Sequence, residues 1–190
     1  INGPFFTKPR VRGQDLEFNY IITNTNDGHN LPTGSLGAQP QLWANVALIN
    51  PRGERVWESG YLDSFGDLAD IHSEDVRHKR IAYDWQLFNL QTMFLITGAK
   101  GTDREFFLPV NIHPPFIRME ARSLAPLGSR TVPYKVPGEL MCEPGRYRLS
   151  FRMRNRTEPM YFMRFCDSTV EMQRAMMEGT LDFHQTSVEF

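Results

Sequence analysis

Leu42-Trp43-Ala44-Asn45-Val46-Ala47-Leu48-Ile49-Asn50-Pro51-Arg52-Gly53-Glu54-Arg55-Val56-Trp57-Glu58-Ser59 decides the fold. Residues 42–49 are almost wholly apolar and of strand length, as expected for a central strand. Asn50-Pro51-Arg52-Gly53 places Pro second and Gly fourth, which suits a type I turn. Glu54 to Ser59 then returns, carrying Val56 and Trp57. The stretch reads as an antiparallel hairpin.

Outward from it, the same period-two grammar recurs. Leu16, Phe18, Tyr20 and Ile22 fall on one face of a half-buried strand. Arg146 to Arg154 is the cleanest alternation: Tyr147, Leu149, Phe151 and Met153 face one way, and Arg146, Arg148, Arg152 and Arg154 the other. Met93–Thr97 and Arg104–Val110, separated by a Gly-rich turn, read as a second hairpin. Ile117–Ala121, Ser129–Val136, Met160–Cys166 and Thr186–Phe190 read as further strands. Pro133 assigns its strand to an edge or a bulge. One helix is expected over 169–178, with Ser168-Thr169-Val170-Glu171 as a capping box, a stripe of Met172, Met176 and Met177, and Gly179 as the stop. Residues 1–14, rich in Gly, Pro and charge, read as an N-terminal arm. Residues 60–80 read as a long irregular loop. The expectation is an all-β chain: an Ig-like antiparallel β-sandwich of about eight or nine strands over 15–190, with one short C-terminal helix.

With 190 residues, 41% of them hydrophobic, the chain is large enough to bury a core. A net charge of -1 gives no global reason to expect nucleic acid, and no apolar run reaches the roughly 18 residues of a membrane span. The start, Ile1-Asn2-Gly3-Pro4, reads as a processed start or the ordered part of a longer chain. The two cysteines, Cys142 and Cys166, form no CxxC and no C-x-x-C-H. The chain therefore has no motif for covalent haem attachment, and a Cys-based zinc site is not expected. The two thiols would pair in an oxidising compartment, or stay as two small apolar side chains in a reducing one.

No G-x-S-x-G, phosphate loop or catalytic Cys signature occurs, so no enzyme activity is expected. Asp63, Asp67 and Asp70 in the long loop are either a weak Ca²⁺ site or a solvated acidic loop. The arginine stripe is either a solvated sheet face or an anion-docking face, since guanidinium pairs bidentately with carboxylates. Of the five histidines, none makes an H-x-x-x-H or H-E-x-x-H pair. His72, His78 and His184 read as surface or structural. His29 differs: it sits in Asn24-Thr25-Asn26-Asp27-Gly28-His29-Asn30-Leu31-Pro32-Thr33-Gly34, a loop of residues that fix backbone geometry. His113, before two prolines, is a second candidate.

The run from Asn24 to Gly34 resembles the GHxxPTG motif of β-rich domains in bacterial multihaem c-type cytochromes and their associated proteins. Trp43, the Asn50–Gly53 turn, Trp57-x-Ser59-Gly60, His113-Pro114-Pro115-Phe116-Ile117-Arg118 and Pro126-Leu127-Gly128-Ser129-Arg130 resemble the same domains. The resemblance implies an extracytoplasmic setting, in the periplasm or at the cell surface. It implies an accessory, non-catalytic sandwich of a redox or photosynthetic electron-transfer complex. His29, or His113, would ligate or abut a haem c carried by a partner or by a further segment. Asn30, Pro32 and the arginines at 146, 148, 152 and 154 would face that partner. The alternative is an adhesion-type sandwich that binds Ca²⁺ or carbohydrate at the 60–80 loop.

Overall fold

The computed structural model describes residues 1–33, 39–96, 106–107 and 117–190. It contains ten strands in two antiparallel sheets. β1 (Asn2–Phe6), β2 (Leu16–Thr23) and β8 (Ser129–Val136) form a three-stranded sheet in the order β1-β2-β8. The second sheet is built on β3 (Gln41–Ile49). β9 (Arg148–Arg156) pairs along the whole of β3 on one side. On the other side β4 (Arg55–Ser59) pairs with the C-terminal half and β5 (Asn89–Ile96) with Leu42 and Trp43. β6 (Phe106–Phe107) and β7 (Ile117–Arg122) pair with β5, and β10 (Leu181–Glu189) closes the far edge against β9. Among the described residues three short α-helices, α1 (Glu74–Arg77), α2 (Met160–Phe165) and α3 (Val170–Glu178), and a 3-10 turn at Gly138–Met141 complete the fold.

The expected sandwich is present, and its core follows the alternation of the sequence. Leu16, Phe18, Tyr20 and Ile22 meet Leu42, Ala44, Val46 and Leu48 of the facing sheet, with Leu149, Phe151 and Met153 beside them. Tyr20 and Phe151 rings approach to 4.3 Å across the two sheets. The hairpin 42–59, the β5–β6 pair and the C-terminal helix fall where the sequence puts them.

Three elements differ. Residues 2–6 are not an arm but an edge strand, because pairing with β2 and the contact of Phe6 with Phe18 and Phe190 override a Gly- and Pro-rich composition. Met160–Phe165 is a helix rather than a strand. Pro159 occupies its N-cap, and Met160 and Met163, three residues apart, are both buried. The cap of α3 is Thr169, whose hydroxyl accepts from the Met172 N–H, and no residue of α3 is fully buried. Cys142 and Cys166 are both exposed, free thiols. Among the described residues no helix is long and apolar enough to cross a membrane.

The first half of β3 is covered on both faces, since Gln41, Trp43 and Asn45, on the side away from the core, are buried as well. That outer layer is roofed by the 60–70 segment and α2. The Trp43 indole N–H donates to Gly60 O at 3.2 Å, and Asn45 reaches the carbonyls of Ser59 and Gly60. The approach is close at Gly60, where φ is +76° and an added Cβ would lie 2.0 Å from Ala44 O. Gly60→Ala is therefore expected to destabilise the chain by on the order of 3 kcal/mol. An unchanged urea midpoint would show that the roof is free to shift.

Candidate functional site

The loop after β2 is built by two asparagines. Asn24 is buried, and its amide donates to the carbonyls of His29 (2.7 Å), Leu124 (3.2 Å) and Ala125 (3.1 Å). Its carbonyl oxygen accepts from the Asn26 N–H at 3.1 Å. The Asn26 carbonyl oxygen in turn accepts from Gly28 N–H (2.7 Å) and His29 N–H (3.1 Å). Leu31 exchanges two backbone hydrogen bonds with Leu124, and the Leu127 N–H donates to Asn26 O. Both backbone groups of His29 are thus occupied. Its side chain is exposed, and the ring makes no hydrogen bond within the described chain. Asn30 is exposed beside it, and Pro32 is half-buried. Gly34 and His113 lie outside the described residues.

The arginine stripe divides. Arg146 and Arg148 are exposed, with only a 3.8 Å contact from Arg146 to Glu189. Arg152 and Arg154 both donate to Asp182 of β10 at 2.7 Å, and Arg152 also reaches Asn45 Oδ1. The Arg154 guanidinium lies 5.4 Å from the Trp43 ring centroid. Half of the stripe is committed to its own sheet.

The acidic loop is not solvated. Asp63, Asp67 and Asp70 are all buried. Asp63 accepts from the N–H groups of Phe65 and Asp67 and from Ser73 Oγ. Asp70 accepts from the His72 N–H, and its carboxylate lies 3.0 Å from His72 Nδ1. Asp67 is bound by the Tyr161 N–H and by the Arg164 guanidinium. The carboxylates are directed at donors of the chain, and among the described residues no three His, Cys, Asp or Glu side chains are grouped to hold a metal ion. A loop fixed by its own carboxylates is the physical reason for the departure from a solvated loop.

A buried polar cluster links this loop to the outer face of β3, and the sequence reading did not find it. Arg156, 1% exposed, donates to Gly66 O (2.7 Å) and Gln41 Oε1 (2.5 Å) and stacks on Trp43. His72 stacks on Tyr161, with ring centroids 4.1 Å apart. The signal was present: Gln41 and Asn45 are polar residues four apart, and so on one face, at the start of a strand otherwise read as buried.

Burial pushes the Asp67 carboxyl up to about 6, against the opposing pull of Arg164. Burial also draws the Arg156 guanidinium down to about 10. A carboxyl raised from 3.8 favours the folded state when protonated. Its contribution is complete below pH 3.8 and is lost as pH rises through about 6.

No protein-family model and no curated protein matches the sequence. In structure, the chain is similar to a penta-heme cytochrome c552 from Thermochromatium tepidum, with a TM-score of 0.58 at 12% identity. The likeness covers 95% of this chain and 37% of the cytochrome, so the chain spans little more than a third of that protein's length. What the two share is the fold.

Two outcomes follow from this geometry. Asn24→Ala removes the donor of His29 O and the acceptor of the Asn26 N–H, while Leu124 O and Ala125 O keep the N–H groups of Leu31 and Gly128; it is expected to lower stability by roughly 2 kcal/mol and to speed amide exchange at Gly28 and His29. Unchanged exchange would mean that the loop is held by other contacts. For Asp67→Asn, stability relative to the unaltered chain should rise between pH 4 and 7, by on the order of 2 kcal/mol. A difference that is flat with pH, measured by urea denaturation, would contradict the raised carboxyl.

Proposed function

We propose that the chain is a non-catalytic β-sandwich of an electron-transfer assembly that docks a haem-bearing protein through the His29 loop. The observation that carries this reading is an exposed imidazole on a backbone held at both its N–H and its C=O. An axial ligand supplied from outside a haem's own binding segment needs a fixed backbone and a free ring nitrogen, and His29 has both. The shared fold with a penta-heme cytochrome supports the setting. The sequence motif around His29, read as a resemblance, points the same way.

The chemistry of electron exchange would belong to a haem carried by a partner or by a further segment of the polypeptide, because the 190 residues hold no C-x-x-C-H. What the chain contributes is position. Asn24 and Asn26 fix the Cα of His29, and the exposed Asn30 lies at the rim. Arg146 and Arg148 are the arginines of the stripe left for acidic groups of the partner; Arg152 and Arg154 are occupied by Asp182. An extracytoplasmic location belongs to this same proposal.

The adhesion-type alternative is less well supported, because the carboxylates of the 60–80 loop are bound within the chain. The test is the optical spectrum of the purified assembly with the native chain and with His29→Ala. The ligand role predicts loss of a low-spin bis-histidine signal for one haem. An identical spectrum in both would remove that role.

A further inference from the structure

A groove of about 920 Å³ runs beside β8, the outer strand of the three-stranded sheet. The segment from Trp85 to Phe88 also lines it, as do Trp57 and Tyr134. We propose that this groove binds a free small molecule of one chemical class, a planar aromatic carboxylate.

The size is that of a small-molecule site, which spans roughly 300–1,000 Å³. The aromatic walls supply flat apolar faces. Trp85 is 86% exposed, which is rare for a side chain of its area, yet its backbone is held on both sides. On one side, buried Asp84 accepts from Ser59 Oγ, the Gly60 N–H and the Gln86 N–H, and its own N–H donates to Ala69 O at 2.8 Å. On the other, the Gln86 carboxamide donates to Lys135 O at 3.0 Å and accepts from the Lys135 N–H at 2.5 Å. An exposed indole on so fixed a turn is a preorganised contact surface.

Charge selects a carboxylate. Three charged residues other than aromatic neighbours line the groove: Glu17, Arg130 and Lys135. Glu17 is paired with Lys8 and Lys135 with Asp15, each at 2.7 Å. Arg130 has no carboxylate among the described residues; its guanidinium lies 5.9 Å from the Phe88 ring centroid. A guanidinium stacked on a ring keeps its edge N–H groups for a bidentate acceptor. The Tyr134 hydroxyl, on another of the lining residues, is buried without a hydrogen-bond partner among the described residues.

The same edge argues against an extended peptide. Strand addition needs a run of free backbone groups. On β8, Pro133 has no N–H to give, and Gln86 already takes both groups of Lys135. This inference is independent of the role proposed for His29.

The test is calorimetric titration with 2-naphthoate and with the uncharged 2-naphthalenemethanol. Saturable one-to-one binding of naphthoate is expected at about 1 mM or tighter, with the alcohol at least about tenfold weaker. Arg130→Gln should remove the preference for the anion, and Trp85→Ala should weaken both ligands about tenfold. Both side chains are exposed, and an unchanged Tm confirms that the variants fold. Absence of saturable binding, equal affinity for the two probes, or affinity unaffected by both substitutions would each overturn the proposal.

Discussion

From Gln41 to Val46 β3 has no solvent side, and the arrangement of the molecule follows from that constraint. A strand in a two-layer sandwich ordinarily turns one face to the core and the other to water. Here Leu42, Ala44, Val46 and Leu48 face the core, while Gln41, Trp43 and Asn45 face a second, polar layer. Polar groups removed from water need partners, and a lone ion needs them most. The partners of this layer come from everything that follows in the chain. Gly60 and Gly66 supply carbonyls, β9 supplies Arg152, Arg154 and Arg156, and α2 supplies Tyr161 and Arg164. The segment between β4 and β5 is long enough to roof this layer before it turns back into the sheet.

Reading β9 in the same way explains why its two faces were unequally legible. Its inward residues alternate cleanly, and Tyr147, Leu149, Phe151 and Met153 are all buried. Its outward arginines look identical in sequence but have different fates. Arg146 and Arg148 extend past the roof and stay exposed, Arg152 and Arg154 lie under or beside it, and Arg156 is fully enclosed. Position along the strand decides this, and position relative to a roof made of residues far away in sequence is not written in a local pattern.

The hairpin 42–59 and the edge position of β8 were readable because each rests on local signals: an apolar run with turn residues, and a proline that cannot donate. The Asn24–Thr33 loop was readable as rigid for the same reason, although nothing in its composition reveals that the Asn24 amide reaches Leu124 and Ala125. α2 was misread because Met160–Cys166 has the aromatic and apolar residues of a strand. Its strand-like composition hides the Pro159 N-cap and the docking against the 60–70 segment through Asp67. Asp63, Asp67 and Asp70 were misread as exposed for a related reason. A carboxylate that caps a turn of its own loop leaves the same composition as one that faces water.

The two-point hold on the His29 backbone also bears on the entropy of association. A flexible loop that must become ordered on docking gives up about 1–2 kcal/mol for each residue fixed. In this loop the backbone has lost that freedom on folding, through the Asn24 and Asn26 side chains. Whatever takes the imidazole has only its two side-chain torsions left to restrict, a cost nearer to that of one rotamer than of one loop.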